Sequence, residues 1–169
     1  MSFFNIEPLT RGHDRASFDC GEPALNDFIQ RHARQNQDRG IGRTYVAAAA
    51  DGVRVFGFYT LASASIGPLD LPEADRRLLP RHRVPMVQLP RLAVDSSATG
   101  RGLGESLLYH ALQLATRVAD IIGVFGLEVY AKHETAAAFY QHFGFMPLKD
   151  DHFHLYLPIR TARPLVESP

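Results

Sequence analysis

The sequence predicts an α/β fold of the mixed (α+β) kind, one mixed sheet with helices on both faces, and three observations carry that expectation. Two apolar runs, "RTYVAAAADG" and "VRVFGFYTLASASI", meet at Asp51-Gly52, a dipeptide suited to the left-handed corner of a tight hairpin. The second half of the chain alternates strand-like and helix-like segments. Between the halves, a stretch with glycines at 100, 102 and 104 joins an apolar run to a long amphipathic one. A length of 169 residues suits one domain, 1–169, with a substantial core.

The elements follow in order. "FFNIEPL" is a short first strand. "SFDCGEPALNDFIQRHARQ" reads as a helix with Leu25, Phe28, Ile29 and His32 on one face and Pro23 in its first turn. The hairpin comes next, then "LPEADRRLLPRHRVP", a short proline-bounded helix and a basic loop. "VPMVQLPRLAVD" reads as a strand in which Pro90 cannot donate a ladder hydrogen bond, so a bulge or an edge is expected there. After the glycines, Leu103, Leu107, Ala111, Leu114, Ala115 and Val118 form a helical stripe. "VFGLEVYA" is a strand, and "ETAAAFYQHF" a helix closed by Gly144 in a left-handed cap. "FMPL" and "FHLYLPI" are the last strands, and residues 160–169 are expected to be a loose tail.

Bulk composition excludes several classes. Lys plus Arg and Asp plus Glu are both 18, so no global charge drives the chain to nucleic acid or membrane. No apolar run approaches a membrane span, and "MSFFNIEPLT" lacks the pattern of a secretory signal. A lone cysteine, Cys20, excludes an internal disulfide and makes a reducing, cytoplasmic setting the default. The eight histidines show no metal-ligand spacing, so no metal is expected.

The glycine stretch admits three phosphate-binding readings. A nucleotide P-loop needs Gly-Lys-Ser/Thr at its end, and the chain has Gly104-Glu105-Ser106. A dinucleotide fingerprint needs a third glycine at position 105, which is Glu105, and an acid beyond a second strand, whereas Asp120 falls at a helix end. The reading that fits is a loop whose backbone N–H groups, at the start of a helix, cradle a pyrophosphate, with Arg101 adding positive charge. A plain tight turn is the alternative.

"RLAVDSSATGRGLGESLLYHAL" resembles motif A of the GNAT family of N-acetyltransferases, with Gly102 and Gly104 as the paired glycines. Thr99 stands where that family has Gln or Arg, and Arg101 is placed to compensate. "HETAAAFYQHFGF" resembles motif B through Ala136, Tyr140, Gly144 and Phe145, with His133 in place of Asn. The resemblance implies a mostly antiparallel sheet with a bulged, splayed central strand. It implies acetyl-CoA as co-substrate, its pyrophosphate held by Thr99, Gly100, Arg101, Gly102, Leu103, Gly104 and Glu105. Pantetheine would bond to the backbone at Leu92, Ala93 and Val94, just beyond Pro90. Tyr140 is implied beside the sulfur, where a phenol can protonate the departing thiolate.

Further stretches resemble one branch of that family, the acetyltransferase toxins of type II toxin–antitoxin systems. They are "FDCGEPALNDFIQRHA", "VFGFYTLASASI" and "VPMVQLPRLAVD", with Pro90 replacing the usual Gly. The branch resemblance implies acetylation of the α-amine of aminoacyl-tRNA, arrest of translation, a ribbon-helix-helix antitoxin and a homodimer. Arg76, Arg77, Arg81, Arg83 and Arg91, with Arg31, Arg34, Arg39 and Arg43 in a second cluster, are candidates for phosphate contacts; solvated surface is the alternative. Glu128 can act as a base directly or through water, or can simply be salt-bridged. An α-amine titrates near 8, well below a lysine near 10.4, so such a substrate needs little base. Two rival functions stay open: acetylation of a small amine, peptide or protein, and a non-catalytic acyl-CoA-binding module.

Overall fold

The computed structural model describes residues 3–167. Its seven strands are β1 (Phe4–Pro8), β2 (Arg43–Ala49), β3 (Val55–Ile66), β4 (Val84–Val94), β5 (Gly126–Tyr130), β6 (Met146–Leu148) and β7 (Asp151–Pro158). They form one sheet in the order β1-β2-β3-β4-β5-β7-β6. β4 and β5 run parallel, while β1–β2, β2–β3, β5–β7 and β6–β7 are antiparallel. The α-helices are α1 (Pro23–Asp27), α2 (Ala33–Asp38), α3 (Glu73–Arg76), α4 (Leu103–Ala119), α5 (Glu134–His142) and α6 (Ile159–Glu167). The chain divides into two compact units, residues 1–62 with 90–111, and residues 63–89 with 112–169.

In the first unit the Asp51-Gly52 turn joins β2 to β3, with Gly52 at φ +83° where other residues are strained. Phe18, Phe28 and Phe58 form the centre of its core, with ring centroids 5.4 and 6.0 Å apart around Phe58. A π-helical stretch, Phe28–His32, separates α1 from α2. That wider turn changes the face expected from simple helical spacing: Leu25, Phe28, Ile29 and Ala33 are buried, and His32 is exposed and bonded to Asp27. Gly57 on β3 is there for space, since a Cβ would stand 2.9 Å from Leu107 Cδ1 and 3.2 Å from Ala93 O.

The stripe of α4 is rotated slightly from expectation. Leu103, Leu107, Leu108, Ala111, Leu112 and Ala115 are buried, while Leu114 and Val118 are only half-buried. In the second unit the β4–β5 ladder runs from Met86–Gly126 to Leu89–Val129 and ends there, immediately before Pro90, which has no N–H to extend it. Side chains alternate across β7. On one face Tyr156 bonds to Asp75 of α3; on the other Leu157 lies near Gly144, at the end of α5. Helices therefore cover both faces of this strand.

The loose tail expected over 160–169 is corrected by α6, whose Ile159 and Ala162 are buried; Ser168 and Pro169 lie outside the described residues. Pro164 sits inside this helix without ending it, and Arg163 bridges Asp120 at 3.0 Å and Glu167 at 3.3 Å. Pro164 misled the expectation because a breaker outweighs a short amphipathic pattern when packing is unknown.

Candidate active site

The glycine stretch forms an open loop. β4 ends at Val94, and the buried Asp95 accepts amide hydrogen bonds from Asp19 and Ser97, both at 2.9 Å. Burial disfavours the Asp95 charge, yet these amides and the Ser97 hydroxyl outweigh it and hold the carboxyl below its usual range. A short 3₁₀ turn, Ser96–Ala98, then leads to Gly100 at φ +77° and Gly102 at φ +74°. A Cβ built at either glycine meets nothing within 4 Å, so the left-handed backbone demands glycine and the space before it is open.

Ser106 is the first amide to bond back into α4, to Gly102 O at 3.1 Å. The amides of Leu103, Gly104 and Glu105 precede it at the positive end of a 17-residue helix. This is the donor set a pyrophosphate needs. The Thr99 hydroxyl is occupied, donating to Ser96 O at 3.1 Å, whereas Arg101 is exposed. Leu92 and Val94 are half-buried and Ala93 is buried along β4.

His133, at the position of the motif asparagine, is the N-cap of α5. Its Nδ1 accepts the Ala136 amide at 3.2 Å and caps α5, as an asparagine side chain does. Gly144 closes the helix at φ +98°. Tyr140 is 8% exposed between Phe139 and Phe145, whose ring centroids lie 5.2 and 5.5 Å away in edge-on contacts. Among the described residues its hydroxyl has no hydrogen-bond partner. Burial alone pushes the phenol well above its ordinary value, so it stays protonated.

The candidate arginines differ in their surroundings. Arg77 pairs with Glu73 at 2.9 Å, Arg83 donates to Ser65 Oγ and O, Arg76 is half-buried and Arg81 is exposed. The Arg91 guanidinium lies 3.7 Å from the Phe28 ring centroid, and burial lowers its pKa. Glu128 is buried rather than solvated, and its Oε2 lies 2.6 Å from His154 Nε2. The sequence alone does not bring this pair together, because 26 positions, a helix and another strand separate the two. The alternation of Glu128 with Tyr130 and of His154 with Tyr156 was the available signal, usable only with the β5–β7 pairing in hand. A second missed cluster joins Asp75 to the Tyr156 hydroxyl and to Arg160. Among the described residues no group of three or more His, Cys, Asp or Glu side chains could hold a metal ion, and no helix is long and apolar enough to cross a membrane.

Comparison with known proteins gives the family. The model of the acetyltransferase (GNAT) domain matches residues 42–147. A protein of Mycobacterium tuberculosis named tRNA-acetylating toxin is 43% identical over 158 residues, covering 94% of this chain and 93% of that protein. A tyrosine-to-phenylalanine variant of KacT matches with a TM-score of 0.93 and 33% identity, covering 97% of this chain and 99% of that one. AtaT complexed with acetyl-methionyl-tRNAfMet matches with a TM-score of 0.89 and 33% identity, covering 96% of this chain and 98% of that one. With a family model spanning most of its length and a relative so similar over nearly all of it, the chain belongs to the GNAT family of N-acetyltransferases.

Proposed function

We propose that the chain is a single-domain toxin that transfers acetyl from acetyl-CoA to the α-amino group of aminoacyl-tRNA in the cytoplasm. The observation that carries this reading is the 43% identity, over 94% of the chain, to a protein named tRNA-acetylating toxin. Two structural neighbours support the two substrates. AtaTR bound with AcCoA matches with a TM-score of 0.85 and 34% identity, and the AtaT complex with acetyl-methionyl-tRNAfMet contains the product side.

The loop fits the co-substrate: open space faces Gly100 and Gly102, and the amides of Leu103, Gly104 and Glu105 stand at a helix N-terminus. These groups, with Thr99 and Arg101, would hold the pyrophosphate, and the backbone at Leu92, Ala93 and Val94 would hold pantetheine. Acetyl-CoA supplies an activated acyl group with a thiolate leaving group. Tyr140 keeps a phenolic proton that has no acceptor among the described residues, and supplies it as the thiolate departs. Arg76, Arg77, Arg81, Arg83 and Arg91 contact tRNA phosphates. A ribbon-helix-helix antitoxin neutralises the protein, and the active form is a homodimer; the AtaT variant bound to the C-terminus of the antitoxin AtaR, at 31% identity, supports the antitoxin.

The test is to incubate the protein with radiolabelled acetyl-CoA and charged tRNA, uncharged tRNA, free amino acids or polypeptide. Label on charged tRNA alone is expected. Label only on free amines or polypeptide rejects the toxin reading, and label on nothing favours the non-catalytic one.

A further inference from the structure

An aminoacyl-tRNA amine must lose a proton before it attacks. β5 and β7 are antiparallel, with Glu128 opposite Tyr156 and Tyr130 opposite His154, so all four side chains share one face. The Glu128 side chain is 3% exposed, and its Oε2 lies 2.6 Å from His154 Nε2. The His154 side chain keeps 13% exposure, and among the described residues its Nδ1 has no partner. The Tyr130 ring stacks on the imidazole at 3.9 Å and 18°, fixing its plane.

Chemistry follows from that arrangement. A buried carboxylate accepting from Nε2–H selects one neutral tautomer and leaves the lone pair on Nδ1. Placement agrees as well. Glu128 lies opposite Gln88, one rung before the last β4–β5 rung at Leu89–Val129. The opposite face of β5 and β7 carries Leu127, Leu155 and Leu157, and Gly144 beside α5 packs near Leu157. The pair thus stands on one face of these strands, and the helix bearing Tyr140 covers the other. Burial and the charges of Glu128, Asp151 and Asp70 raise the Tyr130 phenol, and the same negative charges favour an arriving ammonium.

We propose that His154 is the general base for the acceptor amine, with Glu128 and Tyr130 as positioning residues. This rests on the acetyltransferase reading above. The ammonium N–H bond breaks and its proton goes to His154 Nδ1. The freed lone pair forms the C–N bond to the acetyl carbonyl carbon as the C–S bond breaks, and the sulfur electron pair takes the Tyr140 proton. The acylated nitrogen loses its second N–H proton as the neutral amide forms and that proton restores the Tyr140 phenol, while His154 releases its own proton to water, so each turnover frees one proton.

The test is kcat/KM for charged tRNA against pH, for the wild type, His154→Gln and Glu128→Gln, with melting temperature and acetyl-CoA affinity as controls. The other ionisable groups near this end of β7 are Asp151 and His152 on the strand, Glu134 of α5 paired with His152 at 3.1 Å, Asp70, and Asp75 with Arg160 at Tyr156. His154→Gln is expected to lose about 10²–10³-fold near pH 6. The deficit should shrink above about pH 8, where an α-amine arrives neutral without help. Glu128→Gln should show a smaller deficit with the same trend, and imidazole should partly restore His154→Ala. A deficit equal at every pH, no rescue, or no deficit overturns the assignment. A wild type inert towards charged tRNA overturns the toxin reading, and the assignment with it.

Discussion

Tyr140 offers a hydroxyl with no hydrogen-bond partner among the described residues. Its ring packs against Phe139 and Phe145, and burial holds the phenol protonated. Tyr140→Phe should therefore leave the melting temperature and acetyl-CoA affinity unchanged and lower kcat by about 10²-fold. Its raised pKa means that any loss of rate between neutrality and about pH 10 belongs to another group. Asp95 behaves in the opposite sense. Its folded pKa is depressed, so its stabilising contribution is present above about pH 4, the unfolded value, and fades as pH falls through the folded one. Asp95→Ala should cost about 2–3 kcal/mol at pH 7, read by chemical denaturation, and progressively less under acid conditions. Tyr140 was legible from its motif. The partnership of Glu128 with His154 was not, because it depends on which strand lies beside β5, and α5 and β6 intervene in the chain.

At the scale of elements, two glycines predict different failures. Gly102 is left-handed but uncrowded, so Gly102→Ala should cost about 1–2 kcal/mol and raise KM for acetyl-CoA several-fold by deforming the loop. Gly126 is crowded: a Cβ there would stand 2.5 Å from Leu157 O, so Gly126→Ala should force β5 from β7 and cost about 2 kcal/mol or more. Steady-state kinetics and thermal melting on both proteins separate a binding defect from a packing defect. Strong local patterns were readable in the sequence: the Asp51-Gly52 hairpin, the α4 stripe, and the Gly144 cap of α5. Two features escaped because tertiary packing decided them. The π-helical stretch turned His32 outward, and burial of Ile159 and Ala162 ordered α6 despite Pro164.

For the whole molecule, a net charge of zero at pH 7 means that the proposed tRNA binding must come from local arginines rather than from a global field. Arg81 is exposed and, among the described residues, Arg77 is held only by the exposed Glu73, so both can turn to phosphates at little cost. Arg77→Gln with Arg81→Gln should lower the slope of log affinity against log salt by about 0.7–0.9 per lost phosphate contact. An unchanged slope removes these residues from the interface. The proposed reaction transfers acetyl to the α-amine of an aminoacyl ester. Charged tRNA treated with the protein and acetyl-CoA, then cut with ribonuclease, releases the 3′-terminal aminoacyl-adenosine for mass spectrometry. N-acetyl-aminoacyl-adenosine, one acetyl group heavier and dependent on both the protein and acetyl-CoA, is the expected result. Unmodified aminoacyl-adenosine under conditions where the protein acetylates another amine would contradict it.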